Sequence, residues 1–280
     1  MNSFSFDKGV TIRPSATANL MVDSADRNEA IFPTPWDFQI TKNQSIFNGF
    51  FSRIGVTEVV FDWCVDNVSA YFGNDTFSIT DASGIVRNIT PLDDKVRTVA
   101  QTLDALVEAL NALGLPVYVF EVVTDNGVVG LGSGGVRDFT INASTLASQL
   151  NLPIGEASIL QILGCPDLRP FKYLDVICDN LTYAQDLKDA TTSTTDRDVL
   201  VRWYFSDDVP EQLDVYGFPI LMGYTRFSRR RLYNPPKQIK WDNNLPVGNM
   251  RFQIYDQNGN LVTVADDDTQ MRMTLQLSEN

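Results

Sequence analysis

Three carboxylate runs are the residues in this chain best suited to chemistry: Asp93-Asp94, Asp207-Asp208 and Asp266-Asp267-Asp268. Paired carboxylates serve glycoside hydrolysis or hold a hard cation. Each run adjoins a turn signal or lies between strand-like segments, and none has EF-hand spacing. Solvated loops are therefore the expectation, with weak Ca²⁺ binding at 266–268 as the alternative. Gly130-Leu131-Gly132-Ser133-Gly134-Gly135 has the form GxGxxG. A phosphate loop of that form must open a helix whose N-terminal amides meet the anion. Val136 to Ile141 follows instead and is strand-like, so a flexible hairpin loop is expected. The 280 residues include no histidine. That removes Ser-His-Asp and Cys-His nucleophile pairs, His zinc ligands and an imidazole pH switch. No active site is assembled by these residues, and neither enzyme activity nor a cofactor is expected.

Charge is more informative. The chain has 22 Lys+Arg against 35 Asp+Glu, a net charge of −13, with 44% hydrophobic residues. Such a composition folds, and it argues against coating nucleic acid, which needs a basic footprint. Yet Arg226, Arg229, Arg230, Arg231, Lys237, Lys240 and Arg251 fall in one stretch that holds a single acid, Asp242. Arginine suits bidentate contacts with carboxylates or phosphates. The stretch is either a solvated loop face or a docking surface for an acidic neighbour, another copy of the chain included. The Arg triplet has little aromatic interleaving, so base stacking is not expected.

These residues must be held by elements that the pattern of the chain outlines. Residues 1–30 lack helix or strand period and are expected to form an extended arm. Trp36 to Thr41 alternates apolar with polar residues, as a half-buried strand does. Phe50 to Trp63 predicts a long strand, bent or bulged near Gly55. Phe77 to Ile89 predicts a hairpin around Asp81-Ala82-Ser83-Gly84. Val96, Val99, Leu103, Leu106, Leu110 and Leu113 form the stripe of one long helix, capped by Thr90 with Pro91 at its first position and ending at Gly114. Val117–Val123 and Val136–Ile141 are expected strands, and Leu146–Leu150 and Ile159–Leu163 short helical turns. Further strands are expected at Tyr173–Cys178, Val199–Phe205, Phe218–Thr225, Lys237–Trp241, Met250–Tyr255 and Met271–Leu277. An Asn258-Gly259 turn follows Tyr255. The result is a mainly β chain: a discontinuous β-sandwich of residues 31–68 and 169–280, interrupted by an α+β insertion at 69–168, which is also the most acidic block.

No apolar run approaches the ~18 residues of a membrane-spanning helix, and the first residues do not resemble a secretory leader. Cys64, Cys165 and Cys178 form no CxxC and are expected to be reduced, mostly buried thiols.

Two stretches carry a family resemblance. Asp23-Ser24-Ala25-Asp26-Arg27-Asn28 followed by Pro33-Thr34-Pro35-Trp36-Asp37-Phe38 resembles the opening of small capsid proteins from virophages, polinton-like viruses and related eukaryotic double-stranded DNA viruses. Leu174 to Tyr183 and Asp198 to Arg202 are similar to the second half of such proteins. Ala25 stands where related openings often have arginine. The resemblance implies a penton: a single jelly roll that forms homopentamers at the five-fold vertices of an icosahedral shell, beside the major capsid protein. It implies a location in the virion, assembly inside the host cell and a possible cell-surface receptor. A minor capsid protein at another position, or a carbohydrate-binding virion spike module, is the alternative. The chain has no Arg-Gly-Asp, so an integrin-binding loop is not implied. Assembly requires complementary surfaces, and the candidates are Asp23, Asp26 and Arg27 of the arm and Arg226, Arg229, Arg230 and Arg231 of the basic stretch.

Overall fold

A computed structural model describes residues 17–41, 53–89, 92–95, 97–125, 127–134, 137–182, 199–205, 212–221, 224, 226–240, 248–264 and 268–278. The chain begins with β1 (Thr17–Asp23), β2 (Asp37–Thr41) and β3 (Arg53–Trp63). The middle region follows with β4 (Ser78–Thr80), β5 (Val86–Asn88), α1 (Val99–Ala112), β6 (Glu121–Asp125), β7 (Val128–Gly132), β8 (Phe139–Ile141), α2 (Thr145–Gln149), β9 (Glu156–Ala157) and β10 (Ile159–Gln161). The last third holds β11 (Tyr173–Ile177), α3 (Asp179–Thr182), β12 (Val199–Tyr204), β13 (Phe227–Lys240), β14 (Asn249–Asp256) and β15 (Gln270–Ser278).

Two four-stranded antiparallel sheets, ordered β1-β15-β3-β13 and β12-β11-β14-β2, enclose one core. Counted along the chain among the eight sandwich strands, these orders are 1-8-3-6 and 5-4-7-2. Successive strands cross from one sheet to the other everywhere except at the β11–β12 hairpin, which is jelly-roll topology. Strict alternation drives it. In β15, Met271, Met273, Leu275 and Leu277 are buried while Arg272, Thr274 and Gln276 take the other face. Trp63 is fully buried among Trp36, Phe171, Phe205 and Phe227, with ring centroids 4.8–6.1 Å away. The bulge expected near Gly55 falls at Thr57, which is skipped in the pairing of β3 with β15.

A second core runs from Val68 to Leu168 and takes in Tyr224 from the last third of the chain. It lies under the sheets β5-β4-β8-β9 and β10-β7-β6 and against α1, whose Val99, Leu103, Leu106 and Leu110 are all buried. The Asp81–Gly84 hairpin forms as expected. Asp81 Oδ1 accepts from the Ser83 and Ile85 amides, and Gly84 takes φ +77°.

Several expectations differ from the fold. Residues 17–23, expected in an arm, are edge strand β1, paired along its whole length with β15. The helix starts at Val99, not near Thr90, because Thr98 and Gln101 form a capping box; Thr90, Pro91 and Val96 lie outside the described residues. Ile159–Gln161 is strand, not helical turn. Phe218–Leu221 forms no strand apart from an isolated bridge at Pro219 and packs against the second core instead.

That last difference ties the two cores together. The β12–β13 connection reaches α1, where Asp214 Oδ2 accepts from the Ala100 amide at 2.9 Å and Tyr216 Oη donates to Asp104 at 2.6 Å. Asp214 Oδ1 also accepts from the Tyr216 and Phe218 amides. Burial, with the Asp104 bond, pushes the Tyr216 phenol up to about 12. A carboxylate at a helix N-terminus satisfies an orphan amide and meets the positive end of the dipole. Asp214→Ala is expected to cost about 1–2 kcal/mol and to speed hydrogen exchange at the Ala100 amide. Unchanged exchange there would show that the connection does not hold the helix.

Candidate assembly interface

The basic stretch is built on a strand. Arg229, Arg230 and Arg231 belong to β13 and pair with Phe61, Val60 and Val59 of β3. Period-2 alternation splits the triplet between two faces. Ser228, Arg230 and Leu232 are exposed, while Phe227 and Tyr233 pack against the sandwich core. Arg231, on the Phe227 face, stands 5.9 Å from the Trp203 ring centroid and 5.7 Å from that of Tyr233, within cation–π range. Trp203 belongs to β12, and Phe205, just after β12, contacts Phe227 at 6.2 Å. The edge strands β12 and β13 therefore close one side of the sandwich. On the outer face Arg230 pairs with Glu58, and Arg226, just before the strand, lies 3.8 Å from Asp268. Their side chains remain 63% and 58% exposed.

The acidic candidates sit at the other edge of the same sheet. Asp23 ends β1 and caps a 3-10 turn, Ser24–Asp26, its Oδ1 accepting from the Ala25 amide. Ser24 is buried and accepts from the Met271 amide at 2.8 Å, which pins the turn to β15. Asp26 is exposed. Arg27 donates to the carbonyls of Phe32, Ser24 and Pro33 and pairs with Glu29, and only 12% of its side chain is exposed. Arg27 is thus a clasp within its own chain.

Register relates the two edges. Asp23 pairs with Arg272, Arg272 with Val60 and Val60 with Arg230, one row crossing all four strands. Three inter-strand steps of ~4.8 Å put its ends about 14 Å apart. Arg272 and Ser228 both bond Asp62 in the middle of the sheet. One level further on, Ser24 lies beside Met271, which pairs with Phe61, which pairs with Arg229. The acidic turn and the arginines therefore lie at the same height on opposite edges.

The other candidates do not converge. Asp94 accepts from the Ala70 amide, and Asp93 pairs with Lys95. Asp207, Asp208, Asp266 and Asp267 lie outside the described residues, so neither the second carboxylate run nor Ca²⁺ binding at 266–268 has a described site. Among the described residues no three Cys, Asp or Glu side chains are grouped to hold a metal ion. Gly130 and Gly132 lie within strand β7, not in a loop. A Cβ at Gly130 would come within 2.6 Å of the Leu160 carbonyl oxygen, so close packing of β10 requires glycine there. The Ile85 amide, with Arg87 and Ser83, holds the Asp81 carboxyl below the usual range against the opposing effect of burial. Burial raises the Asp167 carboxyl, but bonds from Arg169 outweigh it and leave it low. Cys178 is buried, which pushes its thiol up to about 12; Cys165 is exposed and Cys64 intermediate, and none of the three is in a disulfide. No helix among the described residues is long and apolar enough to cross a membrane.

The strand order of the sandwich defines the class of single jelly-roll proteins. A member of that class among the solved structures is the selenomethionine-labelled penton protein of mavirus, a virophage. It matches with a TM-score of 0.56 at 12% identity, covering 96% of this chain and 100% of that one. The shared fold thus takes in the insertion as well as the sandwich, and it is the fold that the resemblance of the Asp23–Asn28 and Pro33–Phe38 stretches implies. No protein-family model matches the chain, and no curated protein matches it in sequence.

Proposed function

We propose that this chain is a structural capsid protein, a penton that forms homopentamers at the five-fold vertices of an icosahedral shell in contact with the major capsid protein. The observation that carries this reading is the likeness of fold to the mavirus penton protein across 96% of the chain. A closed odd-numbered ring needs heterologous contacts, in which two different surfaces of each subunit meet. The two dissimilar edges of the sandwich supply such a pair. The role is assembly, with no bond made or broken, and its place is the virion. The test is the mass of the purified full-length chain by native mass spectrometry, with class averages by electron microscopy. Pentamers with five-fold symmetry are expected. A stable trimer would favour a spike module, and a chain that stays monomeric at high micromolar concentration would overturn the reading.

A further inference from the structure

We infer that the ring contact joins the arginine edge of one copy to the acidic turn of the next: Arg226 to Arg231, at and before the start of β13, facing Asp23, Asp26 and Glu29 around the end of β1. This deepens the penton reading and rests on it. Four arginines fall within six residues on one edge, and on the other the three acids outnumber their basic neighbours, Arg27, committed internally, and Arg272, which bonds Asp62. Register places both groups at the same level of one sheet. A subunit can therefore meet the next by rotation about an axis alongside the sheet with little shift along the strands, as a closed ring requires. Complementary charge of this kind steers encounter and fixes register. Both edges also suit a contact made by side chains, since charges and the Pro235-Pro236 pair in β13 discourage strand-to-strand addition.

The test uses exposed charges and spares the packed ones. R226E/R230E leaves Arg229 and Arg231 in place, and D26R/E29R leaves the capping residue Asp23 and the clasp Arg27 in place. Each reversal alone makes the two edges alike. Each is expected to raise the concentration needed for half-assembly at least about tenfold, while the chain carrying all four changes regains wild-type rings. Mixed in equal amounts, the two double variants attract each other, but an odd ring cannot alternate, so open oligomers replace closed pentamers. Added salt weakens the wild-type contact by screening. The neutral variants R226Q/R230Q and D26N/E29Q decide the matter if a reversal fails to fold: they keep the shape and are expected to shift assembly in the same direction by a smaller factor. Wild-type rings with unaltered rings in every variant would overturn the edge contact, leave the penton reading standing and make the arginines edge guards only. A wild-type chain that forms no ring at all overturns both.

Discussion

A chain with alanine in place of Trp63 is expected to lose about 3–5 kcal/mol of stability. Trp63 closes β3, is fully buried and touches Phe227 of β13, Trp36 and Phe205 beside the ends of β2 and β12, and Phe171 just before β11. Its removal leaves a cavity that the four aromatic neighbours, held by separate parts of the chain, cannot collapse to fill. The midpoint of denaturant unfolding, followed by the remaining tryptophans, measures the loss. Trp63→Phe separates packing from polarity. The indole Nε1 of Trp63 is buried without a hydrogen-bond partner. Phenylalanine removes that unsatisfied donor while keeping a ring, so its cost should fall to about 1 kcal/mol. Equal losses from the two variants would show that the neighbouring rings, not the Trp63 ring, hold the sheets together.

Leu106→Ala is expected to destabilise the second core by about 2–5 kcal/mol, leaving the sandwich folded. Leu106 is fully buried at the middle of α1. Trp36, Trp63 and Trp203 belong to the sandwich core, and no described residue of the second core is tryptophan. Tryptophan fluorescence thus follows the sandwich, and hydrogen exchange at the α1 amides follows the insertion. In the variant the α1 amides should exchange through opening at a denaturant concentration well below the fluorescence midpoint. Coincident transitions would instead make the two cores one cooperative unit, joined through Asp214, residues 216–221 and Tyr224.

The differences between pattern and fold have specific causes. The stripe from Val99 to Leu110 located the helix, but the start was misplaced because Thr90-Pro91 and Thr98 are both plausible caps. Only the Gln101 side chain, reaching back to the Thr98 amide, distinguishes them. Strand β1 does alternate, with Ala18, Leu20 and Val22 on the core side. The exposed Met21, however, blurs the pattern, as an edge strand covered on one side allows. Eight sandwich strands are expected and eight are present among the described residues, yet the membership differs: β1 is one of them and Phe218–Leu221 is not. A short apolar run does not say which core will take it. Arg27 is a candidate for assembly only as part of the expected arm. Its three backbone carbonyl partners became visible only once the 24–33 turn was closed.

The sequence by itself determined the periodicities, the hairpin at Asp81–Gly84 and the absence of imidazole chemistry. These depend on local backbone preference and on the alternation of apolar residues, which are properties of neighbours along the chain. Only the tertiary structure decided that the acidic turn and the arginines end one cross-strand row on opposite edges. That relation passes through β15 and β3, whose pairing is set by burial of the whole sandwich face and by a bulge at Thr57. Side chains 200 residues apart acquire a common height only when those ladders form.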